Sequence, residues 1–494
     1  MNLPLRFLQK SSRFHYWTYC AIAIGTFITV VEQSATAIVI PSIAKEFGAD
    51  IPTAQWLTVG SMLAVSAMMM PAGAIADTLG RRRVWIWGLI AFSVASLITS
   101  IAPNFLMVLF GKVLMGLSAS ALQANGMAMV AGAFPDSERG KASGLHMTSV
   151  GIGAMAGPLL GGGMESWLGW RSIFVFITLF SLVSCLVASL VLQADHKSGG
   201  RKGPSLSQFD WTGTGLSAIL LLTFMLTVTF GQKLGWFSGT IIVGLVLTVV
   251  LFSMFIVWER RAPFPMLPLS LFNKMLFSVG SSARFLAFMA GTSTFFLIPF
   301  FLVSVVGMST GLAALYLLPS SVTLMIVGPI SGRIADKIGT TIPAFVGLCC
   351  CTVAMYLFSV IRLESDPLIV ALASGLSGMG LSMFMAPNTS SIMGSAGRAH
   401  YGIVSAFMNL TRNGAHIIGI AVPTAIVVAV MASMGYDADL SDPESLNDVG
   451  LRSAYTISMS RAYEVSTVIM GVAALLSIVP FVYGRFINKR DKIH

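Results

Sequence analysis

Glu32 is the acid to explain first. It lies in Ile28–Pro41, ITVVEQSATAIVIP, a long apolar run, and no other Asp or Glu falls near the centre of a membrane-length segment of the chain. An ionised carboxylate in hydrocarbon costs on the order of 2.5–3.5 kcal/mol even on lenient insertion scales, so a neighbouring helix satisfies it or it serves a function. The chemistry open to it is reversible protonation. Burial disfavours the charged form and a nearby cation favours it, so an acid held between the two exchanges a proton as its surroundings change.

Three cations also fall inside apolar segments: Lys112, Arg284 and Arg412. Each has a simpler reading in which its head snorkels to the interface, most readily Arg284, about two turns from a segment start. Arg412 lies deeper, and Asn409, Arg412, Asn413 and His416 follow i, i+3, i+4, i+7, one helix face. A polar face at that depth lines a cavity or a partner helix, although a lone histidine such as His416 is more often structural. Gln33, Ser34, Asn125, Arg284, Asn409, Asn413 and His416 are the candidates for a substrate cavity. Glu32 lies nine residues before Pro41, about 13 Å down at ~1.5 Å per residue, and Lys112 seven residues after Phe105, about 10 Å down a helix of opposite direction. The two can be level, which makes Lys112 the first expected partner of Glu32 and Arg412 the second.

These residues need a membrane around them. Of the 494 residues 55% are hydrophobic and 10% charged, with mean hydropathy +0.83, against roughly 25% charged in a soluble globular protein. The expected class is an all-α membrane protein. A bilayer core of about 30 Å needs roughly 20 helical residues, and on that ruler fourteen transmembrane helices are expected. They run Trp17–Ile40, Trp56–Ala76, Val84–Ile101, Phe105–Phe134, Leu145–Gly163, Ser172–Leu192, Thr212–Phe230, Gly239–Trp258, Phe277–Val306, Gly311–Ile330, Ile342–Ile361, Leu368–Ile392, Ile403–Met431 and Glu464–Tyr483. Placing the N-terminus inside puts twenty-one of the 30 Lys and Arg on the cytoplasmic side and six outside, so both termini are expected in the cytoplasm. The net charge of +10 is then a topology signal rather than a nucleic-acid footprint. The basic N-terminal stretch leads into a full-length apolar segment, read as an uncleaved first span. The five cysteines lie in apolar segments as small hydrophobes, with no metal site read from them. The longest stretches outside the spans, Gln193–Trp211 and the outer Ala432–Tyr463, are too short to bury a core, which excludes an extramembrane catalytic domain and hence an enzyme of that kind.

An internal repeat orders the spans. Gly73, Asp77 and Gly80 recur 259 residues on as Gly332, Asp336 and Gly339, and the same offset takes Arg139 to Arg398. Two homologous six-helix halves are expected, 1–193 and 275–494, with two extra helices in 194–274, a 6+2+6 plan. Glu32 maps onto Gly291, so the acid is not repeated. In the fifth segment, GIGAMAGPLLGGG, Gly153, Gly157 and Gly161 put a smooth stripe on one face, with Gly162 beside it, and Pro158 weakens the helix ladder and favours a hinge.

The loop after the second segment, GAIADTLGRRR with Arg81 and Arg82, resembles the loop 2–3 signature of the major facilitator superfamily, G-x-x-x-D-x-x-G-R-[KR]. Its aspartate can cap a helix or pair with a basic residue at a gate. The fifth segment resembles the antiporter motif G-x-x-x-G-P-x-x-G-G of drug-exporting members. Glu32 to Pro41 has the spacing of L-D-x-T-x-x-N-x-x-x-P in the 14-helix drug:proton antiporter family, with Glu, Ser34 and Ala37 in place of Asp, Thr and Asn. FDWTG (Phe209–Gly213), VWERR (Val257–Arg261) and LTRNGAHIIG (Leu410–Gly419) are also similar to strings of that family. In the fourth segment the family pattern has Arg, Gln and Gly where this chain has Lys112, Met115 and Gly116, and lysine lacks arginine's planar fork. The resemblance implies the major facilitator fold in the inner membrane of a bacterium, driven by the proton motive force with no cofactor. It implies export of hydrophobic drugs or dyes in exchange for protons, antibiotic resistance, and a monomer; a periplasmic adaptor is neither required nor excluded. Three intramembrane cations against one acid would instead favour anionic or lipid-like amphiphiles, and a proton-coupled importer is the other alternative.

Overall fold

A computed structural model describes residues 14–49, 51–54, 56–192, 210–235, 237–308, 310–397, 400–436 and 449–490. The long helices are α1 (Phe14–Phe47), α2 (Trp56–Leu79), α3 (Arg81–Ser100), α4 (Phe105–Ala133), α5 (Arg139–Leu168), α6 (Arg171–Val191) and α7 (Trp211–Leu234). They continue as α8 (Gly239–Arg261), α9 (Met275–Phe300), α10 (Thr310–Ile338), α11 (Thr341–Ser359), α12 (Leu368–Ala396), α13 (Tyr401–Ser433) and α14 (Val449–Arg490). Among the described residues twelve helices are long and apolar enough to cross a membrane, thirteen if α1 counts as one span. That differs from the fourteen expected at α5, which has the length but is rich in glycine and carries Arg139, Lys141 and Glu165.

Several helices outrun their expected spans, α10 by eight residues past Ile330 and α5 by six before Leu145, and two further differences have a local cause. α1 runs seven residues past Ile40, bending by 44° between its stretches to Thr36 and from Ile38. A proline clashes with the carbonyl four residues before it, which puts the break at position 37, ahead of Pro41. α14 begins at Val449, so Val449–Tyr463 is helix rather than outer loop. Leu451, Tyr455, Met459 and Ala462 recur at helical spacing and are buried, while Arg452 and Arg461 between them made the stretch read as a loop. The acidic residues 437–448 and the loop 193–209 lie outside the described residues. α5 is one continuous helix through position 158.

The buried apolar side chains fall into three clusters. One is drawn from α9–α14, a second almost wholly from α1–α6. The third joins them, with Met70 and Met127 on one side, Tyr401 and Met408 on the other, and Leu220 and Phe255 from α7 and α8. α7 lies along α2, α13 and α8, which seats the extra pair beside the seam. FDWTG and VWERR meet there: Asp210 accepts from the Gly213 amide at 2.7 Å and from Trp258 Nε1 at 2.8 Å. Next to it the buried Glu259 accepts from the Leu267 amide at 3.1 Å.

α1 and α5 approach so closely that a methyl at Gly153, Gly157 or Gly161 would strike Val30, Ser34 or Ala35. This is the smooth stripe read from the sequence. A second glycine face of α5, unread there, meets α10. A Cβ at Gly144 would sit 2.5 Å from the Gly328 carbonyl oxygen, and Gly140 abuts Gly332 in the same way. α5 thus belongs to one half and is wedged into the other through backbone alone, so a side chain at Gly144 must push the halves apart at this end. Gly144→Val should lengthen the distance between spin labels on the exposed Ser137 and Lys337; an unchanged distance distribution would contradict the contact.

Candidate functional site

The repeated loops tie the first six helices to the last six. Asp77, in the last turn of α2, takes the Arg81 guanidinium (2.7 and 3.0 Å) and also accepts from the backbone amides of Gly402 (3.1 Å) and Ile403 (3.0 Å) at the start of α13. Asp336, at the end of α10, accepts from the amides of Gly140 (2.8 Å) and Lys141 (2.9 Å) at the start of α5. Each carboxylate caps a helix N-terminus in the opposite half, where free amides and the helix dipole favour negative charge. The repeated glycines have matching parts. Gly73 and Gly332 let the helix ends meet, since a Cβ on Gly73 would lie 2.8 Å from the Gly402 oxygen. Gly80 (φ 100°) and Gly339 (φ 91°) turn the chain in the left-handed region. Tyr401 is buried between the guanidiniums of Arg81 (5.8 Å) and Arg139 (5.7 Å), and Arg82 donates to the Ser189 carbonyl at the end of α6 (2.8 Å).

Further along the bundle α1 and α4 bring Glu32 and Lys112 together, each only 2% exposed. Lys112 Nζ donates to Glu32 Oε1 and, at 2.9 Å, to Thr36 Oγ1. Thr36 donates to the Glu32 carbonyl at 2.8 Å and lies 3.1 Å from Oε1. The Phe174 ring of α6 stands 5.8 Å from the ammonium. Thr36 was missed by sequence reasoning; its signal was its position one turn from Glu32 on the same face. The pair is thus Glu32–Lys112, and Arg412 is elsewhere.

The cavity candidates separate. Ser34 is removed from the set: it packs against Gly157 and its hydroxyl returns to the Val30 carbonyl at 2.8 Å. Asn125 is also removed as a lining residue, being fully buried with its amide nitrogen on Ala121 O (2.7 Å) and Oδ1 unpartnered. Gln33, about 100° round the helix from Glu32, is exposed. The polar face of α13 meets partner helices. Asn409 donates to Gln123 O (2.9 Å), Asn413 to Ser66 Oγ (3.2 Å) and Arg412 to Gln123 Oε1 (3.5 Å), while His416 Nδ1 is 2.6 Å from Thr292 Oγ1 on α9. Arg284 does not snorkel. It is 3% exposed and donates to Met408 O (3.2 Å) and Thr389 Oγ1 (3.3 Å). His146 on α5, also unread in the sequence, is buried with Nδ1 unpartnered, near Gly126 and Arg412. Among the described residues no group of three or more His, Cys, Asp or Glu gathers as metal ligands would.

Residues 22–420 match the profile of the Major Facilitator Superfamily. The chain is 27% identical to a multidrug resistance protein, Stp, of Mycobacterium tuberculosis over 424 residues, 85% of this chain and 78% of that one. It is 26% identical to the tetracenomycin C resistance and export protein of Streptomyces glaucescens over 442 residues, 89% of this chain and 80% of the other. Among solved structures it superposes on the proton:xylose symporter XylE with a TM-score of 0.64 at 12% identity, covering 95% of this chain and 96% of that one.

A buried pair tolerates joint replacement far better than loss of one partner, because a lone buried charge costs about 3–5 kcal/mol. Lys112→Ala should lower the melting temperature of the purified protein clearly more than Glu32→Gln with Lys112→Met. Equal losses in a thermal-shift measurement would contradict mutual compensation.

Proposed function

Because the chain belongs to the major facilitator superfamily, we propose that it exports hydrophobic or amphiphilic small molecules in exchange for protons by alternating access. It is a multi-pass membrane transporter, not an enzyme. The proposed plan is fourteen spans, with six-helix halves at 1–193 and 275–494, an extra pair in 194–274 and both termini in the cytoplasm of a bacterial cell, the chain working as a monomer in the inner membrane. The placement of Lys and Arg supports this orientation, which makes the end closed by Asp77 and Asp336 cytoplasmic. The contacts between halves described above run from that end only as far as Asn413–Ser66, which fits the outward-facing stage of a cycle.

The observation that carries the reading is the enclosed Glu32–Lys112–Thr36 cluster, built on the helix whose other face packs against the glycines of α5. Any rocking of α5 against α1 changes the environment of Glu32. A cation in contact favours the charged form of any carboxylate and a low-dielectric site without one disfavours it, so separating the pair is the proposed step at which a proton is exchanged. Glu32 is then the proton carrier, Lys112 the group that displaces the proton, and Arg412 stands on the opposite wall. Paired Asp77 and Asp336 caps open and close one end. The relatives named for multidrug resistance and for antibiotic resistance and export support the outward direction and the drug-like substrate.

In everted vesicles energised by a pH gradient, Glu32→Gln should abolish uptake of exported dyes while the protein still inserts at wild-type level. Full dye uptake by that variant would sink the assignment, and wild-type flux in the opposite direction would turn the reading to a proton-coupled importer.

A further inference from the structure

We propose that Arg412 and Arg284 form an anion site, and that the exported molecules carry a carboxylate or similar anionic group held by these guanidiniums. The inference rests on the export reading and adds the charge of the substrate. Once Lys112 is assigned to Glu32, two intramembrane cations remain, and among the described residues neither has a carboxylate partner. Arg284 is enclosed, and its partners are a carbonyl, a hydroxyl and, at 3.6 Å, the Met385 thioether. Arg412 makes one side-chain hydrogen bond among the described residues, to the Gln123 amide oxygen at 3.5 Å. It is surrounded by protein yet keeps some accessible surface.

The two arginines converge on one turn of helix. Arg284 is tied to the Met408 carbonyl, one turn before Arg412 on α13, and His416 follows one turn after. The Phe288 ring joins the row, 5.3 Å from the Arg284 guanidinium carbon and 5.3 Å from the His416 ring centroid. Arg412 lies close enough for its charge to act on Arg284, His146 and His416. Neutral contacts do not compensate an enclosed cation, and like charges side by side raise the penalty. A chain that gathers two guanidiniums and two imidazoles there, with its one central acid engaged elsewhere, presents a site completed by an anion. Guanidinium forks match carboxylate geometry, and the ring and thioethers beside them suit the apolar body of an amphiphile.

The test compares two xanthene dyes of similar ring system, anionic fluorescein and cationic rhodamine 6G. Binding is read by fluorescence polarisation to protein in phosphatidylcholine nanodiscs, which offer no anionic lipid, and transport is read in vesicles. The wild type should bind and export fluorescein in preference to rhodamine 6G. Arg412→Gln and Arg284→Gln should each weaken fluorescein binding by about tenfold or more, with rhodamine 6G binding unchanged or improved. Arg412→Lys, which keeps the charge without the fork, should fall between. Wild-type protein that binds rhodamine 6G as tightly as fluorescein overturns the anion site and needs no variant to fold. Equal loss of both dyes in folded Arg412→Gln overturns it as well. Selective fluorescein binding with no transport of either dye would uphold the site and remove the export reading, so the two fail separately.

Discussion

Lys112 keeps Glu32 in a place where neither charge could stay alone. Both side chains are almost wholly enclosed, and each is satisfied by the other and by Thr36. Such a pair adds little net stability compared with an apolar replacement. Its place in the centre of α1 fits the switch proposed above. Whatever moves α4 relative to α1 by a few ångströms changes which form of the acid is favoured. The close α1–α5 contact is suited to transmit such movement, because its glycines leave no side chain on the α5 face to absorb it.

The molecule is symmetric where it moves and asymmetric where it handles charge. Gly73, Asp77 and Gly80 do for α13 what Gly332, Asp336 and Gly339 do for α5, so both halves contribute one cap and one close approach to the same gate. The acid maps by that offset onto Gly291, and Arg284 and Arg412, which have no carboxylate partner among the described residues, lie on α9 and α13. The proposed proton site and the proposed anion site are thus carried by different helices.

Much of this was legible beforehand for a simple reason: a helix rises by a fixed amount per residue. Depth arithmetic levelled Glu32 with Lys112, the four-residue glycine spacing foretold a smooth stripe on α5, and the constant offset of 259 exposed the paired loops. What escaped needed knowledge of the partner. Asp77 was read as a helix cap or a partner for a basic residue, but the helix it caps starts 324 residues later, at Tyr401. Ser34 looked like a cavity group because it follows Glu32, yet the turn of the helix sends it to Gly157. Arg284 lay near enough to a segment end to reach water, and its bonds to α12 and α13 hold it inside. The start of α14 was hidden by two arginines, the half-buried Arg452 and the exposed Arg461, among its buried apolar residues.

The central claim is that one carboxylate, Glu32, gives up the proton when substrate is bound. The most direct measurement is proton release from purified, detergent-solubilised protein in weakly buffered indicator solution on addition of a transported dye. The wild type should release a proton on binding, and Glu32→Gln should release none while still binding the dye. Undiminished release by Glu32→Gln would place the coupling group elsewhere in the chain.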